Sequence, residues 1–379
     1  MNPLNAVDVE AFLAGPGPIL DTRSPGEFAQ GHLPGALSFP LFDDAERAQV
    51  GTCYRQDGPE VALDLGLALV APKLVPMVQR ARSLAQDGAL RIYCWRGGLR
   101  SQSTAQLLTL AGLKVTRLAG GYKSFRGWVR GTLAVRRPVI TLGGMTGTGK
   151  TAVLAALAEL GERVLDLEDL ANHRGSSYGA LGLPPQPTTE HFENLVAIAW
   201  RSLPLDQPIW IEAESRGIGT CRVPIELFEQ MMAAPVLEVV RSLDDRIEHL
   251  IGVYGQTPRE QLLTATERIH KRLGGDRTRQ ALAHIEAGEA AAAIKIVLGY
   301  YDKTYRYDLE RRQVPVYPVD AVGCSALETA RRMVAQARSL PRFQGAVGDW
   351  GGGGQQGDIG RDRELGGKIP DVAAPWPRS

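Results

Sequence analysis

The sequence predicts an α/β protein made of two α/β domains, the second of which continues into a helical C-terminal part. The first third of the chain alternates short apolar runs with helical patterns, and another apolar run, "VITLGG", follows Pro138 and starts a second such unit. After about residue 220 the periodicity is mainly helical. With 379 residues and 44% hydrophobic content, the chain is long enough for two separate cores.

The elements of the first domain follow from local patterns. "PGPILDT" and "LRIYCW" predict strands, whereas "STAQLLTLAGL" has helical spacing and ends at Gly112. "KVTRLAGGY" predicts a further strand that ends in glycines. The basic stretch "RGTLAVRRP" leads into Pro138, so we place the two domains at 1–136 and 137–340.

The helical part of the second domain is predicted from four segments, which are "IELFEQMMA", "LDDRIEHLIGVYG", "PREQLLTATERIHKRL" and "TRQALAHIEAGEAAAAIKIVLGYYDKTY". Within the last segment we interpret "AAAIKIVL" as core rather than as the wall of a lipid or prenyl pocket, and we assign the tyrosines of "YYDKTYRY" a packing role. Residues 341–379 are rich in Gly and lack apolar periodicity, which predicts a disordered tail.

The charge is unevenly distributed although the formal net charge is only +1. Residues 80–137 contain 12 Lys and Arg against Asp87 alone, which indicates a local positive field. The four cysteines (Cys53, Cys94, Cys221 and Cys324) have neither disulfide-type nor zinc-type spacing. Without a leader pattern or an uncharged apolar run of about 18 residues, we expect a cytoplasmic protein with reduced thiols and no membrane partner.

The stretch "YCWRGGLRS" places Cys94 directly after a predicted buried strand and before a predicted helix. Such a loop forms a cup of backbone N–H groups that binds anions and lowers the pKa of a thiol, so we predict that Cys94 is a catalytic nucleophile. The alternative is a packed structural thiol. The predicted anion-binding residues of this loop are Arg96, Gly97, Gly98, Arg100 and Ser101.

A phosphate-binding loop is predicted at "GGMTGTGKT", because the pattern G-x-x-x-x-G-K-[ST] lies between a strand and a helix. Backbone N–H groups and Lys150 would bind a diphosphate, and Thr151 is a candidate Mg²⁺ ligand. The diphosphate-binding residues are Gly144, Gly147, Gly149, Lys150 and Thr151. Loops bordering the same crevice add the candidates Arg174, Ser176, Ser177, Glu212, Glu214 and Arg216. Asp166 and Glu168, like Glu212 and Glu214, either hold a metal or have a structural role.

"ILDTRSPGEFAQGHLPGALSFP", "YCWRGGLRS" and "LAGGYKSFRGW" together resemble the rhodanese domain of sulfurtransferases over residues 5–130. On this resemblance the positions that form turns and ion pairs and so shape the fold are Asp21, Arg23, Glu27, Gly31, His32, Pro34 and Gly35. We interpret His32 as structural, because nothing nearby in the sequence gives it a catalytic partner. One difference concerns the loop, because common rhodaneses have C-x-x-G-x-R-S, whereas five residues separate Cys94 from Arg100. That spacing also resembles the C-x5-R loop of protein phosphatases, so sulfane sulfur and a phosphorus- or selenium-bearing anion remain alternatives.

The rhodanese-like unit followed by "GGMTGTGKT", "LANHRGSSYG", "ESRGIG" and "ERIHKRLGG" resembles the tRNA 2-selenouridine synthase family over residues 5–335. The resemblance implies a tRNA substrate with 2-thiouridine at the wobble position. It further implies selenophosphate and geranyl diphosphate as co-substrates, an S-geranyl intermediate, and no tightly bound cofactor apart from a candidate Mg²⁺. Cys94 would then act in selenation, and Lys150 would act in geranylation.

The candidate tRNA-binding residues come from the basic stretches and from the aromatic residue beside the cysteine: Trp95, Lys123, Arg126, Arg130, Arg268, Lys271 and Arg272. Three other functions remain open at this point. They are a small-molecule kinase fused to a sulfurtransferase, a ligand-sensing protein without turnover, and a phosphatase, which only the C-x5-R spacing favours.

Overall fold

The computed structural model describes residues 5–205 and 207–340, so the predicted tail at 341–379 lies outside the described residues. The first domain contains a five-stranded, all-parallel sheet in the order β1-β5-β4-β2-β3. Its strands are β1 (Ala6–Val7), β2 (Ile19–Asp21), β3 (Ala36–Ser38), β4 (Ala89–Tyr93) and β5 (Lys114–Leu118). Its helices are α1 (Val9–Ala14), α2 (Pro25–Gln30), α3 (Asp44–Gln56), α4 (Pro59–Val70), α5 (Leu74–Leu84), α6 (Leu99–Leu110) and α7 (Gly121–Ala134).

The second domain contains another five-stranded parallel sheet, in the order β12-β11-β6-β8-β7, and a short β9–β10 pair. Its strands are β6 (Val139–Gly144), β7 (Arg163–Leu165), β8 (Ile209–Glu212), β9 (Gly217–Ile218), β10 (Cys221–Arg222), β11 (Val236–Val240) and β12 (Val316–Asp320). Its helices are α8 (Lys150–Glu159), α9 (Leu167–Leu170), α10 (Thr189–Ser202), α11 (Ile225–Met232), α12 (Leu243–Tyr254), α13 (Arg259–Arg268), α14 (His270–Leu273), α15 (Gly275–Glu286), α16 (Ala290–Arg311) and α17 (Ala326–Ser339).

The predicted α/β fold class is confirmed, and the strands predicted at "PGPILDT", "LRIYCW", "KVTRLAGGY" and "VITLGG" form β2, β4, β5 and β6. The description of the chain after residue 220 as mainly helical misses β11 and β12. Both are five-residue apolar runs between longer helices, and they extend the sheet on the far side of β6. The last predicted helical segment is also divided, because Gly288 has φ 77° and separates α15 from α16.

The two domains share a hydrophobic core. Helix α7 of the first domain packs on α10 and α11 of the second. Phe125, Val129 and Leu133 of α7 lie in the same buried cluster as Val196 and Trp200 of α10. The interface therefore has the apolar character of a domain interior rather than that of a loose domain contact.

One apolar helical segment, 59–84, is long enough by length and composition to cross a membrane. It consists of α4, a short 3₁₀ turn (Ala71–Lys73) and α5, and only 17% of its most apolar part is buried. Lys73 interrupts this run and pairs with Glu46. A single segment of this kind is weak evidence for a membrane span, and the absence of a membrane partner stays a prediction.

Candidate functional site

Cys94 lies at the end of β4, where the chain turns into α6. Its side chain is almost fully buried, and its Sγ lies 3.2 Å from the Ser101 hydroxyl, which donates to it. The Gly98 carbonyl lies 3.9 Å from the same sulfur. Because Ser101 is in the first turn of α6, the start of this helix fixes the position of the thiol.

A second loop crosses the cysteine loop and fixes its backbone. The N–H groups of Tyr122 and Lys123 donate to the carbonyls of Cys94 and Trp95 over 2.8 and 2.9 Å. This approach requires a glycine, since a Cβ at Gly121 would lie 2.3 Å from the Cys94 carbonyl oxygen. The glycines of "LAGGY" thus allow the two loops to cross.

The two arginines of the cysteine loop have different environments. The Arg100 guanidinium forms an ion pair with Glu27, with Nη1 and Oε2 2.7 Å apart. Arg96 is exposed and forms no ion pair with residues in the described part of the chain. Burial alone would raise the pKa of Glu27, but the hydrogen bonds and charge of Arg100 lower it overall. Arg100 is predicted to bind an anion, but its guanidinium is already paired with Glu27. Arg96 is therefore the more available of the two arginines for an anionic ligand.

A buried network of hydrogen bonds and one ion pair lies beside the cysteine loop. Asp21 and Arg23, two of the predicted turn and ion-pair positions, form an ion pair with Nη2 and Oδ2 2.6 Å apart. The Tyr93 hydroxyl also donates to Asp21 over 2.6 Å, and the Arg23 guanidinium lies 3.9 Å from the centre of the Tyr122 ring. Because both charges are satisfied, we assign this pair a structural role. Trp95 lies above it with about a third of its surface exposed (37%).

The phosphate loop connects β6 to α8. Gly144, Gly147 and Gly149 all have positive φ, of 145°, 86° and 77°. The Lys150 ammonium reaches back over the loop and donates to the Gly144 carbonyl at 2.9 Å. The first N–H of the predicted cradle has an internal partner, because Gly144 donates to the Tyr305 hydroxyl at 2.8 Å. The Thr148 N–H donates to the Met145 carbonyl at 3.2 Å, so the other N–H groups that follow Gly144 are the ones available to a phosphate.

Arg246 of α12 supports the phosphate loop from the side. It donates to the Thr146 carbonyl at 2.8 Å and forms a two-pronged ion pair with Asp302 of α16. At Gly147 a Cβ would lie 2.9 Å from the Arg246 carbonyl oxygen. The helical part of the domain thus fixes the loop in place.

Three carboxylates converge beside the phosphate loop. Glu168, Glu212 and Glu214 each offer an oxygen within 4.8 Å of the others, and the Thr151 hydroxyl lies 3.2 Å from Glu168 and 3.3 Å from Glu212. They meet because β8 lies next to β6, β7 lies next to β8, and these parallel strands end at the same edge of the sheet. Burial first, and the neighbouring carboxylates second, raise the pKa of Glu168 to about 8 and that of Glu212 well above its ordinary value.

The crevice candidates divide between this cluster and its borders. At Gly175, next to Arg174, a Cβ would lie 2.6 Å from Glu168 and 2.8 Å from Glu214, so the "HRGSSYG" turn packs directly on the carboxylates. Ser177 donates its N–H to the Tyr301 hydroxyl. The remaining candidates are placed as follows: Arg174 donates to the Leu181 carbonyl, Ser176 lines an apolar cavity, and the exposed Arg216 lines a second cavity together with Glu214.

The basic residues of 80–137 fall into two groups. Arg126 differs from its predicted role in tRNA binding, because it pairs with Glu193 and bonds Asn194 at the contact between the domains. Other members of the stretch donate to carbonyls of the protein: Arg80, Arg82, Arg91, Arg117 and Arg137. The candidates that remain exposed and without an ion pair among the described residues are Lys123, Arg130, Arg268, Lys271 and Arg272.

Comparison with known proteins extends these observations. Residues 5–127 match the model of the rhodanese-like domain, and residues 137–323 match the model of the tRNA 2-selenouridine synthase AAA domain. Three similar proteins, each called tRNA 2-selenouridine synthase, come from Pseudomonas fluorescens, Bordetella petrii and Shewanella oneidensis. The Pseudomonas protein is 38% identical, and the match covers 82% of this chain and 93% of the relative. The Bordetella protein is 38% identical, with 86% of this chain and 96% of the relative covered. The Shewanella protein is 37% identical, with 80% of this chain and 89% of the relative covered.

Proposed function

The chain belongs to the tRNA 2-selenouridine synthase family, and we propose that it converts wobble 2-thiouridine of tRNA into 2-selenouridine through an S-geranyl intermediate. The observation that supports this proposal is the presence of two loops of different kinds, each predicted to bind an anion, in one chain whose domains share a core. One loop contains a buried thiol, and the other contains the lysine and glycines of a phosphate loop. We propose that the protein acts in the cytoplasm, where its tRNA substrate occurs.

In the proposed first stage the sulfur of 2-thiouridine attacks C1 of geranyl diphosphate. A C–S bond forms, the C–O bond to the diphosphate breaks, pyrophosphate leaves, and the base loses its N3 proton. Lys150 and the N–H groups following Gly144 would stabilise the charge that develops on the leaving pyrophosphate. Alkylation converts a poor leaving group into a better one for the second stage.

In the proposed second stage the selenium of selenophosphate attacks C2 of the base and geranylthiol leaves. Hydrolysis of the remaining Se–P bond then releases phosphate and leaves 2-selenouridine. Cys94 would contact the selenium donor, because it is the thiol of the loop that also contains Arg96, and the Ser101 hydroxyl holds its sulfur in place at 3.2 Å. Arg96 is the cation of this loop that is available to hold the phosphate part of the donor.

The carboxylate cluster fits a divalent cation. The Oε2 atom of Glu212 is buried and has no hydrogen-bond partner among the described residues, which is costly unless a cation or a proton satisfies it. Thr151, Glu168, Glu212 and Glu214 would hold Mg²⁺, all through oxygen atoms as this ion prefers. A bound Mg²⁺ would supply positive charge toward the diphosphate.

The test is mass spectrometry of nucleosides from 2-thiouridine tRNA incubated with the full chain, geranyl diphosphate and selenophosphate. Omission of geranyl diphosphate should leave 2-thiouridine unchanged. Omission of selenophosphate should leave the S-geranyl species. Cys94→Ser should abolish selenation and keep geranylation, whereas Lys150→Gln should abolish geranylation yet still convert tRNA that is already geranylated. Cys53→Ser is the matched control, since Cys53 lies on α3, outside both loops. Unchanged selenation in Cys94→Ser would contradict the assigned role.

A kinase joined to a sulfurtransferase is the second candidate, because carboxylates beside a phosphate loop also suit the hydrolysis of ATP. The two functions separate in one assay, the turnover of ATP by the full chain. ATP turnover that Lys150→Gln abolishes, together with unmodified tRNA in the nucleoside assay, would favour the kinase.

A further inference from the structure

A cavity of about 270 Å³ lies between α12 and α16, at the side of the phosphate loop. We call it the α12–α16 cavity. Its walls are mainly apolar and include Leu250, Leu262, Ala293, Val297 and Leu298. An apolar space of this size that is open to the surface is typical of a ligand pocket.

The cavity is continuous with the phosphate loop. Thr146 of that loop lines it, and a Cβ at Gly147 would lie 3.0 Å from the Leu250 side chain. On the other side Ser176 lines it, and the same turn contains Gly175, which packs on the carboxylate cluster. A ligand with its phosphates on the loop would therefore extend the rest of its structure toward this cavity.

The tyrosine hydroxyls of the walls are already satisfied inside the protein, although Thr257 and the exposed Arg259 also line the cavity. Three tyrosines present their rings to the cavity, but each hydroxyl has a partner. Tyr178 is bonded to Thr266, Tyr301 accepts the Ser177 N–H, and Tyr254 is bonded to Ser176. A nucleobase needs free donors and acceptors along its polar edge, so the wall formed by these tyrosines and the aliphatic side chains suits a hydrocarbon chain better than a base.

We infer that the α12–α16 cavity receives the apolar chain of geranyl diphosphate while the diphosphate lies on the loop 144–151, an inference that rests on the proposed function. An apolar cavity of about 150 Å³ accommodates benzene, with six carbons. By the same ratio, 270 Å³ accommodates roughly eleven carbons, which matches a ten-carbon chain and is short of a fifteen-carbon chain. The cavity therefore also selects the length of the chain.

Ala293 is the residue of α16 through which this selection can be tested, because it lines the cavity and is small. A Phe at this position would occupy space that the distal end of a ten-carbon chain needs. The segment "AAAIKIVL" thus has two roles, since Val297 and Leu298 are buried in the core and also line the cavity.

The test is calorimetry of the full chain with pyrophosphate, dimethylallyl diphosphate, geranyl diphosphate and farnesyl diphosphate. Geranyl diphosphate should bind about a hundredfold or more tighter than pyrophosphate, since most of its carbons leave water. In Ala293→Phe the affinity for geranyl diphosphate should fall by about tenfold or more toward that of pyrophosphate. Unchanged pyrophosphate affinity shows that the variant is folded, and Ala291→Phe is the matched control, because Ala291 is exposed on the same helix.

Leu262→Ala is a second variant, which enlarges the cavity and should raise the affinity for farnesyl diphosphate. Equal affinities of the wild type for geranyl diphosphate and pyrophosphate would overturn the inference, as would the absence of any effect in both variants. This result is separate from the nucleoside assay. A chain that binds geranyl diphosphate in the expected manner yet leaves tRNA unmodified would refute the proposed function and keep the cavity assignment.

Discussion

The side-chain amide of Asn194 donates a hydrogen bond to the Tyr122 hydroxyl over 2.8 Å, and both residues are fully buried. Tyr122 in turn donates its backbone N–H to the Cys94 carbonyl. Its hydroxyl donates to Glu190, which like Asn194 lies on α10 of the second domain. A single tyrosine therefore joins the cysteine loop to the domain that contains the phosphate loop.

Tyr122→Phe should lower the free energy of unfolding by about 1–3 kcal/mol, because it removes a buried hydroxyl and leaves Asn194 and Glu190 each with one partner fewer. It should also slow selenation while the affinity for pyrophosphate stays unchanged, since the phosphate loop does not contact Tyr122. Urea unfolding and the nucleoside assay measure the two effects. Tyr54→Phe is the control, because Tyr54 is exposed. Selenation at the wild-type rate would contradict the link.

Glu212→Gln should lower the affinity for Mg²⁺ or Mn²⁺ about tenfold or more, because it replaces a buried anionic ligand with a neutral amide. Calorimetry with either ion in the presence of pyrophosphate measures the change. Glu229→Gln, on the exposed side of α11, should bind like the wild type. If Glu212→Gln binds the ion as tightly as Glu229→Gln and the wild type do, the carboxylate cluster is not the cation site.

His191 should make the protein less stable in acid. Burial, followed by the neighbouring His32, lowers the pKa of His191 to about 4. Between about pH 6.5 and pH 4 the unfolded chain therefore binds a proton that the folded chain does not, and the free energy of unfolding falls as the pH falls. His191→Asn should reduce this slope in melting temperatures measured from pH 7 to 4, and the exposed His270→Asn should not. An identical slope in both variants would contradict this origin of acid sensitivity.

Lys123→Ala and Arg130→Ala should each weaken tRNA binding and reduce its salt slope by about one. Both side chains are exposed, whereas Arg126 on the same helix is paired with Glu193. Arg126→Ala should therefore lower stability and leave the salt slope unchanged. Filter binding at several salt concentrations separates the two effects, with Lys295→Ala on α16 as an exposed control. A reduced slope in Arg126→Ala alone would reverse the assignment.

Much of the fold could be predicted because local patterns agree with it. "VITLGG" and "LRIYCW" are buried apolar runs that end in loops rich in glycine, and these runs form central strands. The strands β11 and β12 could not be separated from their surroundings, because each lies between amphipathic helices and its apolar run is interrupted, by Glu238 in β11 and by Pro318 in β12. Their position is decided by pairing with β6 and with each other, which is a long-range effect.

The loops of the site could also be predicted, whereas the partners of their side chains could not. "YCWRGGLRS" places Arg100 near Cys94 along the chain, but its ion pair with Glu27 joins residues 73 positions apart. Arg246 and Tyr305 carry no motif, yet they hold the phosphate loop from α12 and α16. Two hydroxyls of "YYDKTYRY", those of Tyr301 and Tyr305, contact site loops, so the packing role assigned to these tyrosines is incomplete.

The core shared by α7, α10 and α11 bears on how the halves of this protein can be separated. The junction at 136 and 137 resembles a linker in sequence, yet Arg137 donates to the Trp200 carbonyl and lies over the Trp200 ring. A truncated fragment ending at this junction would expose Phe125, Val129 and Leu133 to water and would be prone to aggregate. Since this apolar surface is covered only when both domains are present, the two halves would have to be expressed and purified together.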